Sequence, residues 1–318
     1  MTATSDRFGA DLGLLLLAAI WGINFSVLKV VLVELDPLAL NALRFPLAAA
    51  ALAIVVARRP GPVLPPREVV PRIIALGLLG NVAYQLLFIF GIDWTHAGNA
   101  SLLLATTPVW TVILSAAAGH ERPAARGLAG IFATLLGLSL VVLGRGDVIS
   151  LDSRTLWGDL LMVAAAMLWS SYSVAGREPI RRHGALRTTT WSLWVGTPVL
   201  VLLGLPSIAR SDLGAVSPGA WLGVGYAGVL SIGVAYVLWY NGVRRIGNNR
   251  TAVYSNLVPV AALITAWLWL GESPTSLQLL GATVILGGVT LTRSTQSRGG
   301  TPGPSSPLPP VTESSSAR

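Results

Sequence analysis

From residue 97 to residue 118 the chain reads AGNASLLLATTPVWTVILSAAA, without one charged side chain. A helix of about 20 apolar residues spans the roughly 30 Å hydrocarbon core of a bilayer. Comparable runs fall near 12–33, 37–57, 70–91, 126–144, 157–176, 188–206, 219–240, 250–270 and 276–292. With the first, they predict ten helices and an all-α integral membrane protein. The connectors are short and polar, and many hold Pro or Gly, as loops require. Charged residues make up 11% of the chain, against about 25% in soluble domains. The deficit extends over nearly the whole length, so it is not the mark of a single leader. The first run is too long for a signal-peptide core of about 7–15 residues, and no small-x-small cleavage site follows it. It reads as a permanent helix. Residues 294–318 are rich in Ser, Pro and Gly and are expected to form a disordered tail.

The net charge of +8 would suit a nucleic-acid partner, but its distribution argues against one. The basic residues crowd into alternate connectors: Arg58, Arg59, Arg67 and Arg72, then Arg122 and Arg126, then Arg177, Arg181, Arg182 and Arg187, then Arg244, Arg245 and Arg250. The other connectors hold Arg145, Arg154 and Arg210. This asymmetry is the positive-inside pattern. It predicts a plasma-membrane protein with both termini in the cytoplasm. The chain has no cysteine, which excludes disulfides, thiolate metal sites and cysteine nucleophiles. No metal or cofactor is expected.

Shifted by 151 residues, the chain matches itself. Gly91 meets Gly242, Pro108 meets Pro259, Glu121 meets Glu272 and Pro123 meets Pro274. Leu128, Gly130, Leu135 and Gly137 meet Leu279, Gly281, Leu286 and Gly288. VAY at 82–84 meets VAY at 234–236 with a one-residue adjustment, and Trp21 meets Trp169 at an offset of 148. GHERP and GESP are therefore one turn in two copies, between the fourth and fifth helices of a five-helix unit. Because five is odd, the second unit enters the membrane from the opposite side. The units are expected over 10–144 and 155–293, as two inverted repeats. Such repeats are a recurring transporter design, in which one half rocks against the other to open a central site to alternate sides.

AAIWGINFSVLKVVL followed by DPLALNALRFPLAAAAL resembles the opening of an EamA domain. GHERPAARGLAGIFATLLGLSLVVLG and GESPTSLQLLGATVILGGVTL resemble its closing helix pair. Two such units resemble the drug/metabolite transporter superfamily, over about residues 10–293. The resemblance implies a ten-helix carrier for small metabolites, often amino acids, usually working as an exporter. The second unit departs at its start: MLWSSYSVAGREP keeps the Trp but lacks a WG pair and any counterpart to Lys29.

Polar groups facing lipid are costly, so polar helix faces should look into the bundle. Asn81, Tyr84, Gln85 and Phe88 share one face of the third helix. Trp21, Asn24, Phe25 and Leu28 share one on the first, and Trp169, Tyr172 and Ser173 one on the sixth. Tyr236, Trp239 and Tyr240 lie on the eighth. Thr106 and Trp110 are a turn apart on the fourth, and Tyr254 and Asn256 precede Pro259 on the ninth. As a substrate site, Asn24, Asn81, Tyr84, Gln85, Thr106, Trp110, Trp169, Tyr172, Trp239, Tyr240 and Asn256 would suit a small, partly apolar, neutral or zwitterionic solute. The competing reading is packing, since such groups also join membrane helices. Trp94, Trp157 and Trp221 sit at helix ends and fit an interface belt.

Pro108 and Pro259 hold equivalent mid-helix positions and free the carbonyls of Leu104 and Ser255, as hinges or static kinks. Lys29 and Arg44 are basic residues inside apolar runs, read as gate or anion contacts. The alternative for Lys29 is to snorkel toward Glu34 or Asp36. Asp11, Glu34, Asp36, Asp93, Asp159 and Glu272 are placed at helix ends or in loops, and the three histidines in connectors. Carboxylate-based proton coupling is therefore not expected, and gradient-driven movement is. Gly219 and Gly223, and the glycines at 127, 130, 137, 281 and 288, admit close packing within the chain or in a homodimer. An enzyme would need a catalytic constellation, yet there is no HExxH, no GxSxG and no mid-membrane carboxylate pair. A receptor or scaffold would need interaction domains that the brief loops do not supply. Sugars, nucleosides and drugs are the alternative solutes; a cationic drug fits poorly with basic, non-acidic helix interiors.

Overall fold

The computed structural model describes residues 2–117, 125–144, 153–246, 251 and 254–299, all helical or in short connectors. The GHERP turn lies outside them. Eight helices are long and apolar enough to cross a membrane: Gly9–Leu32, Pro37–Ala57, Val70–Trp94, Ala97–Leu114, Ala125–Leu143, Arg154–Ala175, Ala185–Arg210 and Pro218–Gly242. Two shorter apolar helices follow, Leu257–Leu270 and Ser276–Leu291. Below, these ten segments are numbered first to tenth in chain order. A short helix, Arg177–His183, joins the sixth to the seventh.

Local chemistry sets the boundaries. Asp36 accepts the backbone N–H of Leu38, and Pro37 opens the second helix, where its missing N–H costs nothing. Ser217 and Pro218 repeat this device at the eighth. Gly271, at φ 70°, ends the ninth in the left-handed conformation that favours glycine. The tenth helix continues to Gly299, past the expected tail boundary at 294, because RSTQSR holds neither Pro nor Gly to stop it. The ninth was expected from 250, but a turn at Ser255–Asn256 delays its final helical stretch to Leu257. Its 14 residues span about 21 Å, less than a full bilayer core.

Two kinds of helix irregularity recur in equivalent places. The third and eighth segments each contain a π-helical stretch, at Gly77–Ala83 and Tyr226–Val234. Such wide turns are frequent at functional sites. The fourth is broken at Ala105–Thr106 and the ninth at Ser255–Asn256, each just before its proline. The break in the fourth helix therefore precedes Pro108 rather than centring on it. The Leu104 carbonyl that the proline frees is not presented to the bundle interior: the Thr107 hydroxyl donates to it at 2.6 Å.

Packing follows an exchange pattern. The first helix packs on the eighth and ninth, as the sixth packs on the third and fourth. The second packs on the eighth, as the seventh packs on the third. The second also packs on the seventh, and the fifth on the tenth. Swapping the two halves maps this set onto itself. The fifth–tenth contact is close enough that a Cβ on Gly137 would lie 2.7 Å from the Gly281 carbonyl, and one on Gly281 as near the Gly137 carbonyl. The glycine face predicted for close packing is used here. Gly223 presses on Val31 of the first helix, so half of the GxxxG pair is used within the chain.

Candidate functional site

The third helix supplies the largest share of the central side chains, Asn81 from its π turn and Tyr84, Gln85 and Phe88 from the α-helix that follows. Asn81 donates from Nδ2 to Ser192 Oγ of the seventh helix at 3.1 Å. Gln85 Oε1 accepts from Arg44 Nη2 of the second helix at 2.9 Å. The Tyr84 ring lies 4.9 Å from Trp169 of the sixth helix and 5.7 Å from Phe88. Phe88 meets Phe25 of the first helix at 6.0 Å. All four predicted residues point inward, and Asn81 and Gln85 are engaged in interhelical bonds rather than left open.

A second aromatic group joins the first and eighth helices. Trp21 packs on Tyr236 and Trp239 at 6.2 and 5.8 Å, and its Nε1 donates to the Ser231 carbonyl in the eighth-helix π turn at 2.9 Å. Tyr226, in the same π turn, donates to the Ile20 carbonyl at 2.8 Å. The wide turn thus presents a backbone acceptor and a phenol to the first helix. Tyr236 carries this group on to Tyr240, ring to ring at 6.4 Å. Tyr172 shares a hydrogen bond with Ser192 at 3.2 Å, and Tyr240 shares one with Thr189. The structure therefore gathers Tyr84, Gln85, Asn81, Trp169, Tyr172, Trp239 and Tyr240 around one centre, with Arg44 beside it.

Other predicted residues sit apart from these contacts. Trp110 donates to Thr106 Oγ1 of its own helix at 3.0 Å. Asn256 donates to Thr290 of the tenth helix at 3.3 Å. Pro259 is buried in the ninth helix. Asn24 is buried on the first helix, and its Oδ1 meets no donor among the described residues. Trp157 and Trp221 are among the exposed large side chains, as an interface belt requires.

Three features were not read from the sequence. Asn41, one turn before Arg44, holds the guanidinium by accepting from Nε at 3.0 Å. The polar run TTTWS at 188–192 is entirely buried and supplies Thr189 and Ser192; its density of hydroxyls within an apolar run was the available signal. Hydropathy starts the sixth helix near 157 and so puts Asp159 at its very end. In fact Ser153 caps the sixth helix early, at Arg154, so that Asp159 falls in the second turn. There it is 1% exposed and accepts from the Thr95 hydroxyl.

A charged cluster lies at the end of the bundle that carries the third-to-fourth connector. Arg154 pairs with Asp93 at 2.7 Å and lies over the Trp94 ring. Lys29 reaches neither Glu34 nor Asp36. Its Nζ donates to the Asp93 carbonyl at 3.1 Å, one of the last, unsatisfied acceptors of the third helix. Glu34 is instead occupied by the backbone N–H and hydroxyl of Ser217, both at 2.7 Å. Those two hydrogen bonds lower its carboxyl pKa.

A helical bundle with long apolar segments, two matching sets of helix irregularities and a buried polar-aromatic centre defines a multi-pass membrane transporter. Sequence comparison agrees: residues 8–143 and 156–294 each match the EamA-like transporter family, and the chain belongs to that family. It is 30% identical over 277 residues to an uncharacterized transporter of Archaeoglobus fulgidus, covering 87% of this chain and 94% of that one. It is 31% identical over 280 residues to a probable terminal-alkyne amino-acid exporter of Streptantibioticus cattleyicolor, covering 87% and 91%. A probable amino-acid metabolite efflux pump of Escherichia coli is 30% identical over 287 residues, covering 86% and 91%. A solved crystal structure superposes with a TM-score of 0.62 over 92% of this chain and 99% of its own, at 20% identity, a likeness of fold alone.

Proposed function

We propose that the protein is a plasma-membrane exporter of amino acids or closely related metabolites, working by alternating access. In this reading all ten apolar helices cross the bilayer as two inverted five-helix repeats, with both termini cytoplasmic. The paired π turns, the paired breaks before Pro108 and Pro259, and the exchange pattern of packing support the repeat. The distribution of Arg and Lys supports the orientation. The names of the exporting relatives support the solute class.

The observation that carries the reading is the convergence of both halves on one centre. Tyr84, Trp169 and Tyr172 come from the third and sixth helices, and Trp21, Tyr236 and Tyr240 from the first and eighth. A solute held between helices of both halves feels any movement of one against the other, which is what alternating access needs. Lys29, with Asp93 and Arg154, forms the closure at the outer end.

Reconstitution in liposomes tests this. Exchange of labelled amino acids is expected from the purified protein alone, and the Asn81→Ala, Gln85→Ala pair is expected to abolish it. Imposing a pH gradient is expected to leave the flux unchanged. A flux that rises with the gradient would overturn the uncoupled reading and point to Asp159, the buried carboxylate.

A further inference from the structure

The connector between the second and third helices, residues 58–69, is folded back against the bundle. Arg187 of the seventh helix donates from Nε to the Pro62 carbonyl at 3.0 Å and from Nη2 to that of Pro60. Trp191, one turn further in, donates from Nε1 to the Val63 carbonyl at 2.6 Å. Gly61, at φ 110°, makes the bend, and a Cβ there would strike the Arg187 guanidinium. At the end of the connector, Val69 is buried with Ile73, Leu76, Tyr172 and Trp191. The seventh helix has 26 residues and is about 39 Å long, about 9 Å more than a bilayer core. Its first turns, which carry Arg187 and hold the connector, therefore lie at headgroup depth.

What this strap presents outward is both apolar and basic. Leu64 is 69% exposed and Val63 39%. Arg58 and Arg67 are exposed on either side of them. The short helix Arg177–His183, which leads into the seventh helix, adds exposed Arg181 and Arg182. Its Glu178 is shared between Arg72 and Arg182, so one carboxylate serves two guanidiniums and a positive charge is left over. Arg58, Arg59, Arg67 and Arg181 form no ion pair among the described residues. Residues 58–72 and 177–187 together hold eight arginines against two carboxylates. The positive-inside bias accounts for the end of the bundle that the arginines occupy. It does not account for a leucine held out among them by a hydrogen-bonded strap. Apolar side chains rimmed by cations at headgroup depth are the composition of an interfacial anchor.

We propose that this corner is a docking site for an anionic phospholipid. Val63 and Leu64 enter the acyl boundary, and Arg58, Arg59 and Arg67 take the phosphodiester and its headgroup. Guanidinium forks suit phosphate oxygens, and a headgroup with its own cation, such as choline, loses the net charge that the arginines attract. In the orientation proposed above the lipid belongs to the cytoplasmic leaflet; the site itself does not depend on that orientation. The strap is bonded to Trp191, and the next residue, Ser192, accepts from Asn81 and shares a hydrogen bond with Tyr172. A bound lipid thus braces the seventh helix where it meets the centre.

The chain has no cysteine, so a single bimane label can be placed on the full-length protein through Leu64→Cys. Val33→Cys, at a residue 84% exposed at the other end of the bundle, is the reference. In liposomes, quenching is compared between phosphatidylglycerol and phosphatidylcholine brominated in the acyl chain, at equal mole fraction. The label at 64 is expected to be quenched by brominated lipid and shielded from aqueous iodide. Phosphatidylglycerol is expected to associate there at least about fivefold more strongly, the preference that one arginine near an anionic surface supplies. The label at 33 is expected to show no such preference. Replacing Arg58, Arg59 and Arg67 together by Gln should bring the ratio at 64 to within about twofold of unity, and replacing them by Lys should keep most of it. Inorganic phosphate at matched ionic strength should leave the ratio unchanged. Each readout is a ratio within membrane-inserted protein of one variant, so loss of folded protein does not imitate it. A label at 64 quenched by iodide and not by lipid, an equal ratio at 64 and 33, a Gln variant that keeps the wild-type ratio, or a ratio abolished by free phosphate would overturn the proposal.

Discussion

Glu272 accepts the backbone N–H of Gly98 at 3.1 Å, and its second oxygen takes that of Ala97 at 3.0 Å. A carboxylate from the second half thus caps the first turn of a helix in the first half, where unsatisfied amides and the positive end of the helix dipole favour negative charge. His96 Nδ1 stands 3.6 Å away. This is what the GESP turn does: Gly271 ends the ninth helix and the next residue reaches across.

The first prediction concerns acid. Burial pushes the Glu272 carboxyl up, but the hydrogen bonds from His96, Ala97 and Gly98 together outweigh it and hold it below the ordinary 4.5. The folded value is lower than the unfolded one, so this stabilisation is present above pH 4.5 and is lost as pH falls through the folded value. Thermal melts are therefore expected to fall in that acid window. Glu272→Ala should cost about 0.5–2 kcal/mol at neutral pH, as lost helix caps do, and flatten the acid decline. A Glu272→Ala protein with the wild-type melting temperature at pH 7 would refute the cap.

The second prediction concerns the fifth–tenth interface. A Cβ at Gly281 would lie 2.7 Å from the Gly137 carbonyl and 2.8 Å from Val141 Cγ2, and neighbouring backbone cannot swing aside as a flexible side chain can. Gly281→Ala should destabilise by about 1–3 kcal/mol through overpacking. Gly287, on the same helix, has nothing within 4 Å of a Cβ, so Gly287→Ala should be neutral or slightly stabilising. Melting both variants in detergent checks the contrast. Equal effects would mean that helix propensity, not the close approach, sets the cost.

Much of this architecture was legible because a membrane leaves few options. A charge-free run such as 97–118 has to be a helix, and the matches of Pro108 with Pro259 and Gly137 with Gly281 expose the duplication. The inward faces of Tyr84 and Trp169 followed from helical spacing and the cost of exposing polar groups to lipid. The π turns were not legible. Their residues are as apolar as those of an ordinary helix, so hydropathy carries no mark of them. For Lys29, the alternative of snorkelling toward Glu34 or Asp36 fails because those carboxylates are drawn to Ser217 and to the Leu38 cap. Hydropathy alone starts the sixth helix near 157; the Ser153 cap starts it at Arg154, which leaves Asp159 near the helix end but buried.

The third prediction tests the wide turn of the third helix. Gly80 lies within it, and a Cβ there would sit 2.3 Å from the Tyr172 ring. Tyr172 is held by Ser192 and packed 5.2 Å from Trp169, so it cannot yield without disturbing the centre. Gly80→Ala is expected to abolish exchange at matched protein levels. Gly225→Ala, just before the other π turn and with nothing within 4 Å, should leave exchange within about twofold of wild type. Full activity in Gly80→Ala would show that the tyrosine position is immaterial.

The last prediction concerns two carboxylates that stand in equivalent places before Trp21 and Trp169. Asp11 accepts from the Tyr254 hydroxyl at 2.8 Å, and Asp159 from the Thr95 hydroxyl. Each bond joins the first helix of one half to the opposite half, and the two lie at opposite ends of the bundle. If one end opens at a time, each bond opposes opening at its own end. A hydrogen bond to a charged group is worth about 1.5–3 kcal/mol, so its loss should raise the open population at that end by about tenfold or more. The chain has no cysteine, which gives a clean background for labelling. With a cysteine at Ser101, Thr95→Val should speed its reaction with a membrane-impermeant thiol reagent added outside. With a cysteine at Ser173, Tyr254→Phe should speed reaction from the cytoplasmic side and slow it from the outside. Rates unchanged in both variants would mean the bonds tie helices together without gating them. Faster labelling from both sides in one variant would mean that it loosens the bundle instead of tipping it.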